Sequence, residues 1–136
     1  MTVGLVIVSH SARLAEGVAE LAGQMAQGLV SIASAGGAPD GSLGTSFEKV
    51  LAALRQVTGP DGALILLDLG SAVMATEMAV EAFAADHDYP VVISAAPLVE
   101  GAVLAAVEAS VGSSLQEVAE AAEHGSELPK LHKEDS

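Results

Sequence analysis

Val3-Gly4-Leu5-Val6-Ile7-Val8-Ser9-His10-Ser11 is the stretch that decides how this chain is read. Its first six residues form an apolar run rich in β-branched side chains, which predicts a short strand buried on both faces, as in a parallel sheet. The run breaks at Ser9-His10-Ser11. From Ala12 to Gln27 the spacing turns helical, with Leu14, Val18, Leu21 and Met25 three to four residues apart. Gly28 stands where a helix-terminating glycine belongs. A histidine between two serines therefore marks the passage from strand to helix.

Outward from that junction the alternation repeats. Leu29–Ala33 reads as a second strand, and Gly36-Gly37-Ala38-Pro39-Asp40-Gly41 as a loop. Thr45-Ser46-Phe47-Glu48 has capping-box spacing and opens a helix marked by Phe47, Val50, Leu51 and Leu54. After a turn at Thr58–Gly62, Ala63–Leu67 reads as a third strand, broken by Asp68-Leu69-Gly70-Ser71 ahead of a helix to about Ala84. Pro90–Ser94 is a fourth strand. Ala96–Ala109 and Ser113–His124 are the last helices, the latter capped by Ser113 or Ser114. Strands alternating with helices of this length predict a single α/β domain: a mostly parallel four-stranded sheet, order 2-1-3-4, flanked by helices. The domain is expected over residues 1–125, with a polar tail over 126–136. The helix at Ala96–Ala109 is so apolar that it must be buried on several sides, and it reads as a dimer interface.

Composition narrows the function. Eighteen acidic and five basic residues give a formal charge of −13 in 136 residues, which repels nucleic acid and anionic membranes. No cysteine is present, and aromatics make up 2% of the chain, so thiol chemistry and base stacking are excluded. No apolar run approaches the roughly 18–20 residues of a membrane span, and no export signal opens the chain. A cytoplasmic protein is expected. His87, His124 and His132 lack metal-ligand spacing, and no Walker A, GxGxxG or GxSxG sequence occurs. Neither a metal nor a cofactor is expected.

In open α/β sheets ligands bind at the carboxyl ends of the strands, near the switch point of the strand order. With order 2-1-3-4 that point lies between the first and third strands. His10 ends the first, Asp68 the third, and the Gly36-Gly37 loop the second. Neutral imidazole is a nucleophile near pH 7, histidine having an ordinary pKa of about 6.5. A carboxylate on one ring nitrogen fixes the tautomer and frees the other nitrogen to attack; Asp68 is the candidate. Amides after Ser11, near Gly36-Gly37 and at Gly70-Ser71 are candidate donors to a phosphoryl group. Each has a plainer reading. Ser9 and Ser11 suit helix caps, Asp68 suits an N-cap for the helix near Ser71, Gly36-Gly37 suits a turn, and Arg13 suits a solvated first-turn side chain.

Three segments carry a family resemblance: Val6–Ser11 with Leu14-Ala15-Glu16-Gly17, Leu66–Ala72 with Met74 and Glu77-Met78, and Ala96–Ala102. In matching order up to about His124, they resemble the DhaM family, the phosphotransferase subunits of bacterial dihydroxyacetone kinase. That family is related to mannose-type enzyme IIA domains of the phosphoenolpyruvate:sugar phosphotransferase system. The resemblance implies a phosphohistidine at His10, with Asp68 matching the family's aspartate beside it. It implies phosphate arriving from phosphoenolpyruvate through enzyme I and HPr, then passing to ADP held in a DhaL subunit while DhaK presents dihydroxyacetone covalently. It also implies a homodimer in which the partner chain contributes to the sheet, an extra exchanged strand. Some members carry HPr-like and enzyme I-like domains after this one; this chain ends without them, so separate carriers are expected. Its acidity suits steering of a cationic partner face around the HPr histidine.

The expectation is a phosphocarrier with His10 as acceptor and donor, Asp68 orienting it, and Ser11, Gly37, Thr45 and Ser71 contacting phosphate or partner. A mannose-type enzyme IIA domain of a sugar transporter would share fold and chemistry, although such domains more typically have glycine where Ser11 follows His10. A flavodoxin-like interaction module would leave His10 structural. A histidine phosphatase would need an arginine cluster for phosphate, and Val8–Ser11 has none.

Overall fold

The computed structural model describes residues 2–131. Strand β1 (Gly4–Ser9) is buried along its whole length. It pairs in parallel with β2 (Ile32–Gly36) on one side and β3 (Ala63–Leu67) on the other, and β4 (Val91–Ser94) completes the order β2-β1-β3-β4. The helices are α1 (Ala12–Met25), α2 (Phe47–Val57), α3 (Val73–Asp86), α4 (Leu98–Ser110) and α5 (Leu115–Glu123). A 3₁₀ turn at Gly70–Ala72 leads into α3, and another at His124–Glu127 follows α5. The four-stranded parallel sheet and its expected order are present.

Alternate residues of the inner strands feed two cores. Leu5, Ile7, Leu64 and Leu66 pack beneath α1, α4 and α5. Val6, Val8, Ala63 and Ile65 pack beneath α2 and α3, with Phe83. The register sets Ser9 against Gly36 and Val8 against Leu67, so the carboxyl ends of β1, β2 and β3 lie side by side.

The second strand begins three residues later than Leu29–Ala33 predicts. Helix α1 ends in a Schellman motif, in which the Gly28 N–H donates to Gly23 O (3.0 Å) and the Gln27 N–H to Gln24 O (3.0 Å). The left-handed terminator is Gln27 itself, at φ 57°, and Gly28 follows at φ 72°. Leu29 is left 61% exposed, and the chain regains the sheet only at Ile32. The strand then runs through Ala33-Ser34-Ala35-Gly36, a sequence of weak β propensity, because small residues admit α1. A Cβ on Gly36 would stand 2.6 Å from Ser11 O and 2.7 Å from Ala12 Cα.

Helix α2 is capped by Ser46, whose Oγ accepts from the Lys49 N–H (3.3 Å), rather than by a Thr45–Glu48 box. A full capping box, Ser114 with Glu117, opens α5. Helix α4 buries Gly101, Ala102, Ala105, Ala106 and Ala109 against α1, α5 and the sheet of its own chain. Much of the burial demanded by its composition is therefore met internally. Gly125 is buried against Glu100 and Gly101, and Lys130 Nζ lies 2.7 Å from Glu100 Oε2. The first part of the expected tail thus lies on α4, while residues 132–136, His132 among them, are outside the described residues.

Candidate functional site

The site is assembled where β1 and β3 run out. The Asp68 N–H still bonds Val8 O (3.1 Å), extending the sheet by one rung and turning the Asp68 side chain toward β1. Its Oδ2 accepts from the Ser9 hydroxyl (2.9 Å) and the His10 N–H (3.0 Å). Its Oδ1 meets His10 Nδ1 at 3.0 Å and accepts from the Leu69 N–H at 2.7 Å. One carboxylate thus holds the backbone, the ring and the preceding side chain of the histidine position.

The same contacts set the protonation states. Burial, with the Asp68 side chain 13% exposed, works to raise its pKa. Hydrogen bonds from the His10 amide, the His10 ring, the Ser9 hydroxyl and the Leu69 amide outweigh that and hold it below the ordinary 3.8. An ionised carboxylate only accepts, so the proton on the His10 ring belongs at Nδ1 and the lone pair at Nε2. Ser71 Oγ stands 2.9 Å from Nε2 and donates to it. The arrangement presents an oriented nucleophilic nitrogen whose positive charge, on being substituted, is balanced by a carboxylate.

Of the residues singled out from sequence, His10, Asp68 and Ser71 converge. Asp68 caps neither the 3₁₀ turn nor α3; those positions are Leu69 and Ala72, without side-chain bonds. Ser11 is the N-cap of α1, its Oγ accepting from the Leu14 N–H at 3.2 Å. Gly37 adopts φ 81° and spends its N–H on Ser9 O (3.1 Å). Thr45 is half-buried at the end of the Gly37–Thr45 loop. Arg13 is exposed on the first turn of α1. Among the described residues no group of three metal-ligating side chains occurs, and no helix is long and apolar enough to cross a membrane.

Two contributors escaped the sequence reading. Ser9, fully buried, is no cap: its Oγ donates to Asp68 and accepts from the Ser11 N–H (3.0 Å), bridging the carboxylate to the start of α1. The Gly44 N–H donates to His10 O (2.9 Å) and holds the histidine backbone from the side of the loop. A serine at the last buried position of a strand was a usable signal for the first; nothing local pointed to Gly44. Beside Asp68, between the ends of β3 and β4, a cleft of about 380 Å³ is lined by Leu69, Gly70, Ser94, Pro97 and Leu98 among others.

Comparison with known proteins adds a family. Residues 4–119 match the family model described as PTS system fructose IIA component. The chain is 41% identical over 131 residues to the PEP-dependent dihydroxyacetone kinase, phosphoryl donor subunit DhaM, of Escherichia coli, a match covering 94% of this chain and 28% of that one. It is 35% identical over 116 residues to the phosphoryl donor subunit DhaM of PEP-dependent dihydroxyacetone kinase 2 of Listeria innocua, covering 85% and 93%. The chain therefore spans about a quarter of the first relative and nearly all of the second. Among solved structures, the crystal structure of a protein of unknown function superposes with a TM-score of 0.78 at 35% identity, covering 91% of this chain and 95% of that one.

Proposed function

The chain belongs to the family of the PTS system fructose IIA component, and from that premise we propose that it is a phosphohistidine carrier serving a dihydroxyacetone kinase. The observation that carries the reading is the His10 ring bound through Nδ1 to Asp68 at 3.0 Å, with Nε2 turned to the exposed Ser71 hydroxyl at 2.9 Å. The Nε2 lone pair attacks the phosphorus of a donor phosphohistidine on HPr. The donor P–N bond breaks with its electron pair staying on the donor ring, and a P–N bond forms at His10. The Nδ1 proton is retained, so the charge gained by the imidazole faces the Asp68 carboxylate. In the second half-reaction a terminal oxygen of ADP, held in a DhaL subunit beside DhaK, attacks the phosphorus and the P–N bond at His10 breaks, returning the ring to its neutral form.

Ser71, which donates to Nε2 before transfer, is placed to turn its hydroxyl to a phosphoryl oxygen afterwards. The Ala12 and Arg13 amides at the start of α1 and the amides at Gly70 and Ser71 are the remaining donors in this reading, since a helix leaves its first N–H groups without internal acceptors. Thr45 is assigned to phosphate or partner. Residues 1–125 constitute the carrier domain, working in the cytoplasm. A homodimer completes the sheet at β4, an edge strand that leaves one side of its backbone unpaired.

The test is phosphorylation followed by intact-protein mass spectrometry, with phosphoenolpyruvate, enzyme I and HPr, beside a His10→Ala control. One acid-labile phosphoryl adduct, absent from the control and discharged by DhaL with ADP, is the expected result. Discharge only by a sugar-specific IIB domain would reassign the acceptor to a transporter. A folded chain that takes up no phosphoryl group would sink the carrier reading.

A further inference from the structure

We propose that Lys49 is a positioning residue of the phosphoryl-transfer site, acting through the Gly37–Thr45 loop; the inference rests on the carrier reading above. Lys49 occupies the first turn of α2, where a cation opposes the helix dipole. Its ammonium group is instead drawn back across the helix start, donating to Ala38 O (2.9 Å) and to Gly36 O (3.0 Å). Its stem lines a cleft of about 310 Å³ between α1 and α2, beside Ala12, Glu16 and Ala53. Arg55 and Lys130, by contrast, face carboxylates, those of Asp86 and Glu100.

The two carbonyls bracket Gly37, the residue whose N–H holds Ser9 O. Beyond Ala38 the loop closes on itself. Ser42 binds Asp40 Oδ1 through its N–H (2.9 Å) and its hydroxyl (2.6 Å), and the Ala38 N–H donates to Ser42 O (2.8 Å). The loop then delivers the Gly44 N–H to His10 O. Side-chain packing does little to hold it: Gly37, Gly41 and Gly44 carry none, and Leu43 at its tip is 80% exposed. The Lys49 ammonium is the strong tether at the loop base, because a charged donor binds a carbonyl more tightly than a neutral one. His10 is then gripped from two sides, by Asp68 through its N–H and ring and by Gly44 through its carbonyl. Lys49 governs the second grip without touching the reacting atoms.

The test compares wild type, Lys49→Met and Lys49→Arg in two measurements. Amide hydrogen exchange reads Gly37 and Gly44 against the core amides of β1 and β3. Rapid-quench labelling from phospho-HPr reads the transfer rate. Lys49→Met keeps the stem and removes the donor; exchange at Gly37 and Gly44 is expected to speed up about tenfold with the core unchanged, and transfer to slow by roughly 10- to 100-fold, the scale of a small misplacement of a reacting group. Lys49→Arg, which can still reach two carbonyls, should recover most of both. Unchanged transfer in Lys49→Met, slowed transfer with Gly44 still protected, or loss of protection across the core would each overturn the inference. A wild-type chain that takes up no phosphoryl group sinks the carrier reading and this role with it, whereas a labelled wild type matched by Lys49→Met overturns only the role of Lys49.

Discussion

Helices α3 and α4 look alike in sequence and are buried to different extents. VMATEMAVEAFAAD and LVEGAVLAAVEAS are both apolar around most of the circumference. Helix α4 buries one broad face, with Ala102, Ala105, Ala106 and Ala109 at 0% exposure between α1, α5 and the sheet, and leaves Val99 at 40% and Val107 at 42% exposed on the other. Helix α3 buries only Thr76, Ala79 and Phe83 and leaves Met74 at 74% and Met78 at 52% exposed. The reason is the layer each belongs to. Three helices cover one face of the sheet, so α4 has a helix on either side; two cover the other, so α3 has a helix on one side only. Apolarity on all sides demands burial but does not name what supplies it. Met74 and Met78, the most exposed large apolar side chains of the two helices, lie on α3, which follows directly after Ser71.

The largest expected effect tests the enclosure. Ala106→Leu forces a larger side chain into a filled layer and should cost about 1–3 kcal/mol, read as a lowered midpoint in denaturant, with transfer per folded molecule unchanged. Asp68→Asn comes next. Replacing the carboxylate removes the group that fixes the His10 tautomer, and transfer should fall at least roughly 10- to 100-fold, the cost of losing the partner that orients a metal-bound histidine. Its stability effect has a defined sign. Asp68 is held below its ordinary pKa when folded, so its contribution is complete above about pH 4 and is lost as pH falls through the folded value. The gap in midpoint between wild type and Asp68→Asn should therefore be constant near neutrality and close on acidification. A gap that widened in acid would contradict the hydrogen-bonded, ionised carboxylate.

Exposed α3 offers the converse of Ala106. Met74→Gln with Met78→Gln should leave stability within about 0.5 kcal/mol, while slowing transfer from phospho-HPr about tenfold, a docking loss near 1.4 kcal/mol. Thermal melts and rapid-quench labelling read the two effects. A double variant as unstable as Ala106→Leu would erase the distinction between the helices.

What the sequence disclosed follows the same division between local and imposed structure. β1 and β3 were legible because their burial on both faces writes a continuous apolar run. His10 and Asp68 were legible because they interrupt such runs, and Ser71 because it follows so closely. The start of β2 was not: a Schellman motif with Gln27 at its left-handed position, followed by a strand of alanine, serine and glycine, has no strand signature of its own and is set by the approach of α1. Ser9 read as a cap because its partner is 59 residues away. Lys49 gave no signal in the sequence, since its acceptors are two backbone carbonyls in the preceding strand and loop. Long-range hydrogen bonds of this kind leave no spacing to read.

The smallest expected effect concerns the start of α4, where the segment after α5 packs. There Gly125 packs on Glu100 and Gly101, and Lys130, itself 79% exposed, reaches Glu100. The ion pair lowers the Glu100 pKa and raises that of Lys130, mainly through their hydrogen bond. Its contribution is thus present between the two ordinary values, fading as pH falls below about 4.5 or climbs above about 10.5. An exposed pair gains little in water and is screened by salt. Lys130→Ala should therefore lower the melting midpoint slightly at low ionic strength and not at all in high salt at pH 7. A large, salt-independent drop would mean that the segment after α5 is part of the enclosure of α4 and that three helices alone do not account for it. The contrast with α3 would then rest on the C-terminal segment as much as on the helix layer.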